Sequence, residues 1–262
     1  MIGIIGAGAM GEVFVAGFLR QGIGPDRLVI AEKREGRARE LVDRYGVRVV
    51  TPAEAAGECA TILLLVKPQD VAFVLGEIRP VLADGAVVIS LAAGVRLATL
   101  ESALPGVAVV RAMPNTPALV DLGITAISPG TSCTTEQAAY VEGLLSAVGP
   151  VVRVSEDLQD AVTATSGSGP AYVFLLIEAM VAAAVDLGLP ADIARDLVRT
   201  TVVGAATMAA QPTADVGVLR EQVTSQGGTT AAALAVFEAE GFPRIVSAAM
   251  TAARDRGREL GA

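Results

Sequence analysis

A short apolar run, Met1-Ile2-Gly3-Ile4-Ile5, leads straight into Gly6-Ala7-Gly8-Ala9-Met10-Gly11, and a helical pattern from Met10 to Gln21 follows at once. No other feature restricts the fold as much. The first glycine of such a G-x-G-x-x-G run permits a tight turn. The second lets backbone approach a pyrophosphate, and the third lets the helix pack on the sheet. Taken alone, the spacing is a strand–helix turn. Here strand, helix and next strand all lie within 32 residues, the context that a dinucleotide-binding βαβ unit requires.

The pattern continues. Arg27–Ala31, Val47–Val50, Thr61–Val66, Val87–Leu91 and Ala108–Ala112 read as strands, with Thr125–Ile127 and Val151–Val154 as late ones. The strands up to Ala112 are short, nearly all apolar and spaced for crossover helices, as a parallel sheet covered on both faces demands. Gly22 reads as the residue just past the first helix, and Thr134-Thr135-Glu136-Gln137 has capping-box spacing. The fold class is α/β, a Rossmann-type doubly wound sheet over residues 1–154.

After Val154 the hydrophobic period changes from two to 3.6, and only helices are predicted: Leu158–Thr165, Pro170–Leu187, Ala191–Gln211, Thr213–Gln222, Thr229–Glu240 and Pro243–Leu260. Residues 155–262 form an all-helical domain. Met180-Val181-Ala182-Ala183-Ala184-Val185 is apolar nearly all round, so the Ala171–Leu187 stretch reads as a buried helix. Glu178 and Asp186 argue against its spanning a membrane. A helical domain this rich in Ala and Val is expected to complete its core against a second copy, as a homodimer or a higher homo-oligomer built from dimers.

Several function classes are excluded. A net charge of −8 without a basic run argues against nucleic acid or an anionic membrane as partner. The absence of histidine removes imidazole acid–base chemistry and most zinc sites, and no metal site is expected. Cys59 and Cys133 are isolated and read as thiols in a reducing compartment; the N-terminus shows no basic n-region and no cleavage-site pattern, and the cytoplasm is the expected address.

Ligands of open α/β sheets bind at the carboxyl ends of the strands. Glu32 falls 21 residues after Gly11, where an acid binds the ribose 2′-OH of NAD; Lys33 and Arg34 follow and suit the 2′-phosphate of NADP. The signals conflict, and the reading leans to NADP, with NAD kept open. Val66-Lys67-Pro68, Ala92-Ala93-Gly94 and Met113-Pro114-Asn115 close three further strands as candidate cofactor contacts. Asn115 between two prolines would fix the nicotinamide edge. Thr165–Pro170 is read as a cap with a close packing turn, or as a wall of the pocket. Near the other end, Val223-Thr224-Ser225-Gln226-Gly227-Gly228-Thr229-Thr230 precedes Ala231-Ala232-Ala233, so a small-residue loop opens a helix whose first N–H groups are free to meet an anion. By itself the segment reads equally as a helix cap with a hinge.

Taken together and in order, Gly6–Gly11, Val66–Pro68, Ala92–Gly94, Arg111-Ala112-Met113-Pro114-Asn115-Thr116-Pro117, Gly167-Ser168-Gly169-Pro170-Ala171-Tyr172 and Val223–Thr230 resemble the successive motifs of pyrroline-5-carboxylate reductases. The resemblance covers essentially the whole chain. The Met-Pro-Asn-Thr-Pro and Gly-Gly-Thr-Thr segments are its specific part. Ala9 departs from the Asn or other polar residue frequent in the family, and Gln226 from a common Pro.

The resemblance implies NAD(P)H-dependent reduction of 1-pyrroline-5-carboxylate to proline, the last step of proline biosynthesis, at a site on a dimer interface. There Ser225, Gly227, Gly228 and Thr229 would hold the substrate, its carboxylate meeting the Ser225 hydroxyl and the N–H groups of Gly228 and Thr229. Thr230 would hydrogen-bond the ring nitrogen as the catalytic residue. Two rival readings are a reductase of another small cyclic imine and a non-catalytic NADP sensor.

Overall fold

Four strands of this chain are buried at every position: β1 (Ile2–Ile5), β2 (Leu28–Ala31), β4 (Thr61–Leu64) and β5 (Val87–Ser90). In the computed structural model, which describes residues 1–260, successive residues of one strand enter two different cores. Ile4, Ile30 and Leu63 pack with Phe14 and Phe18, whereas Ile5, Val29 and Leu64 pack with Val74, Leu75 and Ile78. A strand covered on both faces has no solvent side, so it shows no polar alternation.

With β3 (Arg48–Val49), β6 (Ala108–Met113), β7 (Thr125–Pro129) and β8 (Val151–Arg153), these strands form one sheet in the order β3-β2-β1-β4-β5-β6-β7-β8. Its helices are α1 (Ala9–Arg20), α2 (Glu35–Tyr45), α3 (Pro52–Glu58), α4 (Pro68–Ile78), α5 (Leu97–Ala103) and α6 (Thr135–Leu145). The chain leaves β1 in one direction to β2 and β3, then returns to β4 on the other side of β1. That reversal opens a crevice beyond the carboxyl ends of β1 and β4, the switch point at which doubly wound sheets take ligands.

Local chemistry sets the helix ends as read. The N–H of Gly22, at φ +85°, donates to Leu19 O, and that of Ile23 donates to Phe18 O; both bonds are 3.0 Å, a Schellman ending for α1. Thr134 and Gln137 form the reciprocal capping box that opens α6. One strand departs from the parallel series: β7 runs antiparallel to β6. The segment joining them, residues 114–124, is too short for a crossover helix. The Ile124 N–H donates to Asn115 Oδ1 at 2.9 Å and closes the loop. Cys59 and Cys133 are both free thiols.

Beyond β8 the elements are α7 (Gln159–Val162), a π-helical turn over Thr163–Gly167, then α8 (Gly169–Asp186), α9 (Ala191–Ala209), α10 (Val216–Gln222), α11 (Thr229–Ala239) and α12 (Phe242–Leu260). The type of element changes after Arg153, whereas the packing divides later. One compact unit comprises Met1–Ser168 with residues 253–260, and the second is Gly169–Ala252. The expected cap at Thr165–Pro170 is instead the π-helical turn running into α8. A Cβ on its Gly167 would lie 2.6 Å from Met113 Cε, a contact that the flexible end of the Met113 side chain can relieve. α10 starts later than read, since the Asp215 carboxylate accepts from the N–H groups of Gly217 and Val218 at 2.7 and 3.1 Å.

The expectation of a buried helix over Ala171–Leu187 is corrected. None of the residues of α8 is buried within one chain, and Val173, Phe174, Leu175, Leu176, Met180 and Val185 are all exposed. The run Glu156–Asp186 is long and apolar enough to cross a membrane by length and composition. Fully burying such a side chain contributes about 1.5–3 kcal/mol, and these six are about half exposed on average, so roughly 4–9 kcal/mol of apolar burial is unrealised in a single copy. Cover by a second copy is the expectation that this exposed face leaves to be tested. Light scattering at micromolar concentration is expected to give at least twice the 26.6 kDa chain mass, and Leu175→Asp to lower it; a parent that scatters as one chain would refute this assembly.

Candidate active site

The three glycines of the β1–α1 turn differ in what they require. Gly6 has φ +94°, and a Cβ on it would lie 2.8 Å from the Leu65 carbonyl carbon and oxygen at the end of β4. A Cβ on Gly11 would lie 2.9 Å from Gly6 O, so this residue permits the helix to turn back on the loop. Gly8 is different: its φ is −67°, and a Cβ would meet only Arg34 Nη2 at an ordinary 3.6 Å. The protein's own packing does not demand glycine at position 8. The space in front of it is open to a ligand that needs the backbone close.

Beside Gly8, α1 begins without a side-chain cap. The N–H of Glu12 bonds to Gly8 O at 3.0 Å, but those of Ala9, Met10 and Gly11 find no backbone acceptor among the described residues. Ala9 offers no side-chain donor, so only its amide faces this site. Free amides and the positive end of a 12-residue helix make an anion seat.

A cleft of about 830 Å³ opens there. It unites three of the predicted groups: Gly6 and Gly8, Glu32 with Lys33 and Arg34 after β2, and Val66 with Lys67 after β4; Pro68 is the first residue of α4 behind Lys67. Ala7 and Met10 belong to the same turn without lining the cleft. Ala92-Ala93-Gly94 and Met113-Pro114-Asn115 do not line it either. They close β5 and β6, the next two strands along the sheet. Asn115 accepts the Ile124 N–H with its Oδ1, and its Nδ2 makes no hydrogen bond among the described residues.

Glu32 is not a free acceptor. Its carboxylate takes two bonds from the Arg34 guanidinium, at 2.8 and 3.0 Å, and a third from the Arg34 N–H at 3.0 Å. The Arg34 side-chain bond holds the Glu32 carboxyl below the usual range, against a smaller upward push from burial. Lys33 sits 3.6 Å from Asp70 and is otherwise solvated. Sequence reasoning missed Phe73 on α4, which lines the cleft although 77% exposed. It also missed Val50 and Thr51 after β3. An aromatic residue on an otherwise ordinary helix carries no local sign of this position.

The second unit holds the other predicted group. Ser225 to Gly228 make a tight turn, with the Gly228 N–H donating to Ser225 O at 3.0 Å and Gly227 at φ +70°. The Gly228 amide, expected to face a ligand, donates inside this turn. A Cβ on Gly228 would strike Ser225 Oγ, which is why this position takes no side chain. The amides of Thr229, Thr230 and Ala231 have no backbone acceptor among the described residues, and α11 has no side-chain cap. Thr224 Oγ1 donates back to Arg220 O, while the Ser225, Thr229 and Thr230 hydroxyls make no bond among the described residues. The cap-and-hinge alternative thus lacks its cap. Four hydroxyl residues surround an uncapped helix start, and none closes it.

Comparison with known proteins follows this geometry. Residues 156–260 match the family model described as pyrroline-5-carboxylate reductase dimerisation, and residues 1–94 match that described as NADP oxidoreductase coenzyme F420-dependent. The chain is 42% identical to the pyrroline-5-carboxylate reductases of Mycobacterium leprae and Corynebacterium melassecola, covering 99% of this chain and 96% and 98% of theirs. Its structure is similar to that of a pyrroline-5-carboxylate reductase from Coxiella burnetii, with TM-score 0.94 and 36% identity over 100% of this chain and 98% of that one. The Plasmodium falciparum pyrroline carboxylate reductase with NADP bound gives TM-score 0.88 at 28% identity over the same shares.

Four carboxyls of the first unit, Glu12, Glu32, Glu54 and Glu136, have depressed pKa values, and the two held by arginines give a pH prediction. Burial pushes Glu12 up, but hydrogen bonds from Arg37 and Tyr45 outweigh it and hold the carboxyl below 4.5; Glu32 is held down by Arg34. A depressed carboxyl stabilises the fold above its unfolded value, and that stability is lost as pH falls through the folded value. Tm is expected to hold down to about pH 5 and then to fall more steeply in the parent than in Glu12→Gln. Parallel curves would remove Glu12 from the acid response.

Proposed function

The chain belongs to the pyrroline-5-carboxylate reductase family, and we propose that it reduces 1-pyrroline-5-carboxylate to L-proline with a hydride from NAD(P)H. The observation that carries the site assignment is the uncapped start of α11, with unpaired amides at Thr229 to Ala231 beside the unbonded hydroxyls of Ser225 and Thr230. A carboxylate satisfies such a helix start as an Asp side chain would, and here no side chain does.

In this reading the pyrophosphate sits on the amides of Ala9 to Gly11, in front of Gly8. Arg34 and Lys33 face the 2′-phosphate, Lys67 the ribose side, and Ala92–Gly94 with Met113, Pro114 and Asn115 the nicotinamide half. NADPH is preferred over NADH, because the acid that would accept a ribose 2′-OH is already held by Arg34. Residues 1–154 carry the cofactor; residues 155–262 carry the substrate loop and the dimer contacts, and each loop serves a cofactor bound by another copy. The free thiols of Cys59 and Cys133 suit the reducing cytoplasm.

The bound cofactor supplies the hydride. The residues of the chain bind and orient. Ser225 and the Thr229 amide hold the carboxylate, and Gly227 and Gly228 shape the turn that presents them. The Thr230 hydroxyl hydrogen-bonds the ring nitrogen and fixes the ring. A protonated imine is already electrophilic at carbon, so hydride addition produces the neutral amine ring without a strong enzymic acid. A chain with no histidine can therefore support the reaction through positioning and fixed dipoles.

Steady-state assays with pyrroline-5-carboxylate, run with NADPH and NADH in parallel, test the whole reading. The expected result is turnover with a higher kcat/KM for NADPH; equal or greater efficiency with NADH overturns the preference. Faster turnover of a six-membered or sulfur-containing imine overturns the substrate. Thr230→Ala should lower kcat and leave NADPH affinity nearly unchanged. Ser225→Ala should chiefly raise KM, by about tenfold, the value of one charge-assisted hydrogen bond at its lower end. An unchanged KM removes Ser225 from the carboxylate site.

A further inference from the structure

Behind the β1–α1 loop, on the third residue of α2, lies Arg37. Its side chain is 16% exposed, low for an arginine with no catalytic duty. It reaches four groups of the first unit. Nε donates to Ala7 O and Nη2 to Gly8 O, each at 3.4 Å. Nη2 also pairs with Glu12, and Nη1 pairs with Glu40 at 2.7 Å. Glu12 lies in the first turn of α1, where it also receives Arg44 at 2.6 Å and the Tyr45 hydroxyl at 2.9 Å.

Two physical consequences meet here. A trans peptide is planar, with its C=O and N–H pointing in opposite directions. Holding Gly8 O from behind therefore aims the Ala9 N–H forward, and holding Ala7 O fixes the Gly8 N–H, which donates to Gly6 O at 2.9 Å. The second consequence is electrostatic. An acid in the first turn of a helix is favoured by the helix dipole, but it repels a phosphate drawn to the same end. Glu12 is such an acid, and the Arg37 guanidinium neutralises it on the side away from Gly8's open space.

We infer that Arg37 is a positioning residue for the dinucleotide: it grips the Ala7 and Gly8 carbonyls so that the Ala9 amide faces the pyrophosphate, and it screens the Glu12 charge that would oppose that group. The inference rests on the proposed pyrophosphate seat at Gly6–Gly11.

Its test is a pair of binding titrations, NADPH by fluorescence and 2′-AMP by calorimetry. The second probe carries the adenosine and the 2′-phosphate but no pyrophosphate. Arg37→Met should raise the Kd for NADPH about tenfold and leave that for 2′-AMP within about twofold. A Kd for NADPH within twofold of the parent, or equal losses for both probes, overturns the role. Adding Glu12→Gln to R37M should bring NADPH back to within about threefold of the parent; no recovery overturns the screening half. If R37M does not fold, Arg37→Lys decides. It keeps one charge without the fork that reaches both carbonyls, so about threefold weaker NADPH binding is expected, and parent-like binding overturns the role. Gly8→Val separates this inference from its premise. A side chain fits the fold at position 8, so a G8V protein that still binds NADPH would sink the seat itself. Loss of binding in G8V with binding kept in R37M would sink only Arg37.

Discussion

The end of β1 meets the end of β4 with no room for a side chain. Gly6 turns there at φ +94°, with the Leu65 backbone 2.8 Å from where its Cβ would stand. Every later feature of the first unit depends on that contact. It lets the chain double back into α1, so that the free amides of the helix start stand over the switch point of the sheet. It also brings the residues after β2 and β4 to the walls of one cleft. An alanine at position 6 would meet both a forbidden backbone conformation and a steric clash.

The same physics is used twice in the chain. α1 and α11 both begin after a glycine N-cap, with no side-chain cap and with three amides unpaired. α3, α6 and α10, by contrast, carry Thr51, Thr134 and Asp215 as side-chain caps. The starts of α2 and α9 also carry no side-chain cap, so an open helix start marks a ligand site only together with the small residues around it. In this reading, the starts of α1 and α11 are left for a ligand to close: a pyrophosphate at one and a carboxylate at the other. What differs is how each open end is held. The first has Arg37 gripping its carbonyls from behind, and the second has a Ser225–Gly228 turn that consumes one of its own amides.

Much of this was legible because it is local. The Schellman glycine at Gly22, the capping box at Thr134 and the fully apolar strands each follow from a few neighbouring residues, and each appears where the pattern put it. The strand ends shifted by a residue or two, since apolarity continues past the last ladder bond. The misreadings share a different cause. The direction of β7 was not legible, because strand direction is decided by the length of the connection and not by side chains. The Gly228 amide looked free because its acceptor, Ser225 O, is a backbone atom with no letter of its own. α8 looked buried because its apolar surface is genuine, yet nothing in the single chain covers it.

By itself, then, the sequence determined the elements, their order, the two glycine-led helix starts and the family to which the whole belongs, because each of these is written in spacings of a few residues. Only the tertiary structure decided which charges are spent and which are available. Glu32 is captured by an arginine two residues away, and Glu12 by one 25 residues away. Nothing in the sequence distinguishes those carboxylates from free ones. A charge is cancelled by what lies beside it in space, and for Glu12 that neighbour arrives only when α2 packs against α1.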